Sequence, residues 1–198
     1  RGYIWVGSES GLDRFDGVEF VHYLNNPDDS LSLSDNVVRD ILVDRAGRLW
    51  IGTQLGLHLY DAQRDRFVRF PDQGGYQITS NQIIEGFDGR IYVLSKSRIY
   101  QVDFTDSLVR PMSIPLLDDY LDHDDVLNKI YLDRKNNIWL GFTSAGLLCY
   151  EQASGSIRRF SSSKPFRLPS NHILDLVQDQ QDNIRAARSE ERSCRERV

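Results

Sequence analysis

DRAGRLWIGTQLGLHLYD, residues 44–61, is the stretch of sequence that decides the fold. Polar and Gly-containing segments separate two short apolar runs, which predicts a turn, a strand, a second turn and another strand. The phrase recurs as YIWVGSESGLDRFD at residues 3–16 and as DRKNNIWLGFTSAGLLCYE at residues 133–151, with a weaker copy, GFDGRIYVLSKSRIYQVD, at residues 86–103. One aromatic residue takes the same place in each copy: Trp5, Trp50, Tyr92 and Trp139. A period of about 45 residues is typical of stacked repeats.

The first turn of the unit supports the repeat at the level of backbone chemistry. Its fourth position is always a residue that tolerates positive φ: Gly47, Gly89, Asn136 and Asp182. We interpret Asp44 and Asp133, which open this turn, as residues that cap it. A calcium loop needs several oxygen ligands at alternate positions, whereas these turns offer one or two, so no metal is predicted there.

Composition excludes some classes of protein. The chain has 198 residues and a net charge of −5 with acids and bases well mixed, so it lacks the basic footprint of a nucleic-acid-binding protein. It has no apolar run near the ~18 residues of a membrane-spanning helix. The chain does not begin with Met. We therefore expect a piece of a longer protein, in which a leader would lie upstream.

Each full unit is expected to contain four short strands. An opening strand precedes the turn, the aromatic strand and a Leu-Tyr strand follow it, and an FVRF-type strand ends the unit. Four antiparallel strands in roughly 40–45 residues make one blade of a β-propeller, and a β-sandwich would not repeat a whole hairpin phrase. We predict an all-β fold, an open arc of about four blades within residues 1–184. The blades are expected at residues 2–24 (partial, without its inner strand), 37–70, 82–112 and 126–160, with the first strand of another at 173–178.

The repeat pattern breaks after Ile184. Arg185 stands where the unit requires an aromatic residue, and RAARSEERSCRERV has no strand pattern. We interpret residues 185–198 as a non-native tail and exclude them from the fold.

No catalytic or metal site is predicted. The four His residues form no Ser/His/Asp or Cys/His arrangement, and Cys149 is expected to be a small buried apolar residue. An acidic cluster alone resembles a metal site, and we interpret it as a solvated loop: Asp118, Asp119, Asp122, His123, Asp124 and Asp125. No cofactor is expected.

The combination of SLSDN (residues 32–36), DRAGRLWIGT (44–53) and GLHLYD (56–61) closely resembles the two-component regulator propeller repeat. The resemblance extends over residues 2–184. The third copy departs from it, because Leu94 and Ser95 replace the Gly-Thr pair and Arg98 replaces the following Gly.

The resemblance implies a sensor. Such repeats build the extracytoplasmic part of bacterial histidine kinases, often hybrid kinases, and the expected ligand is an oligosaccharide or another small molecule. It further implies a homodimeric parent at the periplasmic face of the inner membrane, attached through a part outside these residues. This segment itself is expected to be no enzyme and to make no contact with nucleic acid.

Ligand-binding residues are expected in loops that share one face of the propeller, because loops on a rigid scaffold often carry function. A sugar requires planar polar groups and an exposed aromatic ring. The candidates that fit this chemistry are Gln54, Tyr76, Asn81, Arg98 and Phe166. The Trp series, by contrast, is expected to pack between neighbouring blades.

Two other functions remain open. The same fold carries enzymes, such as a polysaccharide or small-molecule lyase, and protein-binding scaffolds, and fold alone cannot separate them. A membrane span and a kinase core beyond Ile184 would decide for the sensor.

Overall fold

The computed structural model describes residues 2–114, 117, 125–162 and 168–188. The chain divides into two units, Arg1–Ser113 and Ile114–Val198. Every strand pair in both units is antiparallel and joins strands that are consecutive along the chain. The prediction of an all-β fold built from four-stranded antiparallel sheets is confirmed.

The first unit contains three sheets. The first sheet consists of β1 (Ile4–Ser8), β2 (Gly11–Phe15) and β3 (Phe20–Tyr23). The second sheet consists of β4 (Val38–Val43), β5 (Leu49–Thr53), β6 (Gly56–Asp61) and β7 (Arg66–Arg69). The third sheet consists of β8 (Gln82–Glu85), β9 (Ile91–Ser95), β10 (Arg98–Asp103) and β11 (Leu108–Pro111). Among the described residues, the first sheet has no strand in the place of β4, so β1 lies at its edge.

The second unit contains one full sheet and a hairpin. The sheet consists of β12 (Leu127–Leu132), β13 (Ile138–Phe142), β14 (Leu147–Glu151) and β15 (Ser156–Phe160). The hairpin consists of β16 (Ile173–Gln178) and β17 (Ile184–Arg188).

Strand β17 corrects the expectation that no strand follows Ile184. Backbone pairing with β16 extends the ladder to Arg188, although the aromatic residue of the repeat is missing. Arg185 replaces the hydrogen bond of that aromatic residue, since its Nε donates to Asp179 Oδ2 at 3.0 Å. Residues 189–198 lie outside the described residues, and the non-native origin of residues 185–198 stays a prediction.

Apolar side chains fill the space between the sheets of the first unit. Trp50 is fully buried in a cluster that includes Ile83 and Val93 of the third sheet, and its ring meets that of Phe70 edge-on at 5.1 Å. A second cluster joins the first two sheets: Leu12, Leu33, Leu49, Ile51 and Phe67. Burial of this apolar surface is the main force that holds the sheets together.

Glycine lets the second and third sheets approach closely. A Cβ at Gly52 would lie 2.8 Å from Ser80 Cβ and 3.2 Å from Ile83 Cδ1. The second unit uses the same device, because a Cβ at Gly141 would lie 2.6 Å from Ile173 Cγ2. These positions carry the Gly of the W-x-G pattern.

An arginine that follows the first Asp of the unit fastens neighbouring elements. The guanidinium of Arg45 donates to the backbone carbonyl of Gly86 in the turn of the third sheet. In the second unit, Arg134 Nη1 donates to the carbonyl of Asp179 at 3.0 Å. The same residue type therefore makes the same contact twice, which is what a structural repeat produces.

Candidate functional site

The turns and crossover loops that could contact a ligand lie at one end of the strands of the first unit. In an antiparallel sheet the chain reverses direction at each strand, so the β5–β6 and β9–β10 turns lie at the end where the crossovers 24–37 and 70–81 also run. We call residues 24–37, 54–55, 70–81 and 96–97 the loop face.

His58 anchors the first crossover to the second sheet. Its Nε2 accepts the backbone N–H of Ser34 at 3.0 Å, and its Nδ1 lies 3.3 Å from the carbonyl of Ile51. The ring is fully buried, and this burial, together with the nearby Arg69 cation, lowers the pKa of His58 to about 4. The imidazole is therefore neutral near pH 7, with Nδ1 as donor and Nε2 as acceptor.

Hydroxyl and amide groups complete this anchor. Ser34 Oγ lies 3.3 Å from Thr53 Oγ1, and Asn36 Oδ1 accepts the backbone N–H of Asn25 at 2.7 Å. Asn171 repeats the second contact in the other unit, where its Oδ1 accepts the N–H of Ser162 at 2.7 Å. The Asn of the L-x-x-N pattern at residues 33–36 and 168–171 thus makes the same contact in both units.

Tyr76 presents an aromatic ring to solvent from the second crossover. Asp72 Oδ1 accepts the backbone N–H groups of Gly74 and Tyr76, both at 2.9 Å, which fixes the local chain. A Cβ at Gly74 would lie 2.9 Å from Tyr76 Cδ2, so one part of the ring covers the glycine. The side chain nevertheless remains 74% exposed. The backbone of Tyr76 is therefore fixed locally, while most of its ring faces solvent.

Gln54 occupies the β5–β6 turn and is exposed. Its Oε1 accepts a hydrogen bond from Arg39 Nη2 at 2.8 Å. Arg39 also lines a cavity of about 240 Å³ with Gly7, Val38, Asp40 and Ile41. Gln54 of the turn and Arg39 of strand β4 therefore place an amide and a guanidinium beside a small cavity.

Asn81 and Arg98 lie at the same end of the third sheet. The backbone N–H of Asn81 donates to the carbonyl of Leu94 at 2.9 Å, and Arg98 pairs with Ser95 across the β9–β10 turn. The side chains of Asn81 and Arg98 are both exposed.

The repeat positions lie in turns and strands away from the loop face. Asp44 Oδ2 accepts the indole N–H of Trp50 at 2.9 Å, and Asp133 Oδ2 accepts that of Trp139 at 3.0 Å. Burial opposes ionisation of Asp44, but these hydrogen bonds and Arg48 hold its pKa below the usual value. Gly47 and Asn136 have φ values of 77° and 59°, and Trp5 meets Tyr60 edge-on at 4.9 Å.

Residues 32–54 match the family described as the two component regulator propeller. This stretch resembles one two-component regulator propeller repeat. A curated relative, Histidine kinase P4 of Formosa agariphila, is 54% identical over 33 residues, which make up 17% of this chain and 2% of the relative. The match falls on a short part of both proteins.

Solved structures share the propeller fold. The extracellular domain assigned to a hybrid two-component system of B. thetaiotaomicron matches 94% of this chain and 25% of its own length, with a TM-score of 0.75 and 16% identity. Virginiamycin B lyase from Staphylococcus aureus matches 94% of this chain and 60% of its own, with a TM-score of 0.67 and 14% identity. The chain spans about a quarter of the length of the first of these structures. At such identities the likeness shows the fold.

The structure brings four of the five predicted ligand residues to the loop-face end of the first unit: Gln54, Tyr76, Asn81 and Arg98. Phe166 lies outside the described residues, as do Asp118, Asp119, Asp122, His123 and Asp124 of the acidic cluster. Its remaining member, Asp125, accepts a hydrogen bond from Ser144 Oγ at 2.8 Å. In the described ranges, no helix is long and apolar enough to cross a membrane.

Sequence reasoning did not single out His58, Arg39 or the backbone of Lys96 and Ser97. The sequence carries no local signal for the role of His58, because its partner Ser34 lies 24 residues away along the chain. For the backbone of Lys96 and Ser97, the available signal is that the third copy departs from the repeat at Ser95 and Arg98.

Proposed function

We propose that this chain is part of the ligand-sensing region of a two-component sensor, with the kinase outside these residues. The regulator propeller repeat and the likeness to extracellular domains of two-component systems support this proposal. By the same reasoning, the parent would place this region on the periplasmic side of the inner membrane and act as a homodimer.

The proposed ligand is an oligosaccharide bound on the loop face. The observation that carries this assignment is Tyr76, a ring that remains 74% exposed although Asp72 fixes its backbone. Gln54, Asn81 and Arg98 supply amide and guanidinium groups at the same end of the unit. An exposed aromatic ring with polar groups at the same end of the unit matches a sugar, which has an apolar face and a rim of hydroxyl groups.

An enzymatic role finds less support in these residues. His58 uses both ring nitrogens in hydrogen bonds and is buried. His22 lies on the outer strand β3 and pairs with Asp13. A general base needs a nitrogen that can reach the substrate, so the buried His58 is not suited to that role. The likeness to a lyase rests on the fold.

Isothermal titration of the 198-residue chain with a panel of neutral and acidic oligosaccharides tests the proposal. Tyr76→Ala should weaken binding about tenfold or more, because aromatic anchors commonly dominate a binding site. Phe20→Ala is the matched control, since Phe20 is also exposed (54%) but lies on the outer strand β3. Failure of every oligosaccharide to bind, or turnover of one of them, would overturn the proposal.

A further inference from the structure

The β9–β10 turn has an unusual backbone for its residues. Two residues join the strands, and both have positive φ: 44° at Lys96 and 64° at Ser97. Hairpin turns of this kind strongly prefer Asn and Gly. The corresponding turns after β1 and β13 end in Gly11 and Gly146, which carry the positive φ there.

Strain of this kind is kept where the surroundings or the function require it. Side chains other than Gly, Asn and Asp rarely adopt positive φ, and such residues concentrate at ligand-binding sites. The strained turn has basic side chains at Lys96 and Arg98. A glycine at either position would offer no side chain to a ligand.

Lys96 and Arg98 make no ion pair with any described residue, and both are exposed. Most other guanidinium groups nearby have an acidic partner: Arg110 contacts Asp103 at 2.9 Å, for example. Residues 89–102 contain no Asp or Glu, so the positive charge of the β9–β10 turn has no acidic partner within this stretch of its own hairpin.

A neutral hydrogen-bonding group lies beside this charge. The ladder places Asn81 next to the end of β9 and Arg98 on its other side, about two strand spacings or ~10 Å apart at the backbone. A guanidinium binds a carboxylate or sulfate with two parallel hydrogen bonds, and an amide binds hydroxyl groups. Arg98 could therefore hold an anionic substituent while Asn81 contacts the adjoining sugar.

We propose that the turn of residues 96–98 is a subsite for the anionic group of an acidic oligosaccharide, a uronate carboxylate or a sulfate ester. This assignment rests on the proposed function, since it takes the loop face to be the sugar-binding surface. It extends the proposed function by specifying the charge of the ligand: the sensor selects acidic over neutral glycans through Lys96 and Arg98.

The test uses the 198-residue chain and three probes: an oligogalacturonide, a sulfated galacto-oligosaccharide and a neutral galacto-oligosaccharide. The double variant Lys96→Gln/Arg98→Gln removes both charges and keeps polar side chains of similar length. Arg64→Gln is the control, because Arg64 is also well exposed (63%) but lies in the β6–β7 turn at the other end of the second sheet. Binding is measured by titration calorimetry at low and at physiological ionic strength.

We expect one of the acidic probes to bind at least tenfold more tightly than the neutral probe. The double variant should abolish that preference, the control should retain it, and added salt should reduce it. The acidic probe that binds distinguishes the carboxylate from the sulfate ester.

Three outcomes would overturn the subsite. The neutral probe could bind as tightly as the acidic probes, the double variant could keep the preference, or inorganic sulfate alone could compete at equal concentration. In each case sugar binding, and with it the proposed function, would stand. Absence of binding by all three probes and by the neutral and acidic panel would instead overturn the proposed function.

Discussion

The second and third sheets of the first unit share one strand order but hold their first turn in different ways. In the second sheet, Asp44 gathers the backbone N–H groups of Ala46 and Arg48, the side chain of Arg48 and the indole of Trp50. In the third sheet Gly86 stands in the place of this Asp, and the turn is closed by backbone hydrogen bonds. Blade geometry thus requires the backbone pattern, whereas the carboxylate adds stability.

The third sheet contains a partial substitute for the missing carboxylate. Asp88 lies two positions later and accepts the backbone N–H of Arg90 at 3.1 Å, while the hydroxyl of Tyr92 is 3.5 Å away. Tyr92 is as fully buried as Trp50. Packing of the aromatic ring is therefore common to both sheets, whereas the close hydrogen bond from the ring to a carboxylate is found in the second sheet.

The comparison predicts its largest effect for removal of the two carboxylates. Asp44→Ala should lower the free energy of unfolding by about 3 kcal/mol, because it leaves the buried indole N–H of Trp50 and other donors without an acceptor. Asp88→Ala should cost less than about 1 kcal/mol, since its contacts are longer and its side chain is partly exposed. Urea denaturation followed by Trp fluorescence measures both values.

Equal losses for the two variants would contradict the view that the carboxylate is the main difference between the sheets. Asp44→Asn is a useful control, because it keeps one oxygen acceptor and removes the charge. It should fall between the wild type and Asp44→Ala.

The same comparison separates what the sequence predicts from what it leaves open. The strands around Asp44 and Trp50 follow from the alternation of turns and apolar runs, and this local pattern is repeated with little change. The sequence pattern does not predict strand β17, because pairing with β16 depends on the backbone and tolerates Arg185 in place of an aromatic residue.

The candidate site likewise has features that the sequence predicts and features that it does not. Tyr76 and Gln54 stay predicted ligand residues; their chemistry and their place in loops, both of which the sequence contains, select them. The anchor between His58 and Ser34 depends on how a crossover folds back onto strand β6, which no local pattern encodes. The backbone conformation of Ser97 is likewise a tertiary result, since Ser itself does not favour positive φ.

The second sheet should also be the acid-sensitive one, because His58 stands where the third sheet has Tyr100. Burial lowers the pKa of His58 to about 4, below its ordinary value near 6.5, so the unfolded chain binds the proton more tightly. Stability from neutral His58 is present above pH 6.5 and is lost as the pH falls towards 4. Between pH 7 and pH 5 the loss should be about 2 kcal/mol.

His58→Gln isolates this effect, since Gln offers an acceptor for the Ser34 N–H and does not titrate. Between pH 7 and pH 5, the free energy of unfolding of the variant should fall by about 2 kcal/mol less than that of the wild type. An unchanged pH dependence would show that another group is responsible. The carboxylates Asp44, Asp133 and Asp179 have lowered pKa values, so their contribution is lost at lower pH.

The smallest predicted effect concerns the turn of the third sheet and has the opposite sign. Ser97→Gly should raise the free energy of unfolding by about 0.5–1 kcal/mol, because Gly adopts the φ of 64° without steric strain. Ser10→Gly, in the corresponding turn of the first sheet, should destabilise by a similar amount, since Ser10 is not among the residues with positive φ and Gly adds entropy to the unfolded chain. Thermal and urea unfolding of the two variants give the comparison. If Ser97→Gly were destabilising instead, the positive φ would carry no strain, and the turn would need no functional reason for its residues.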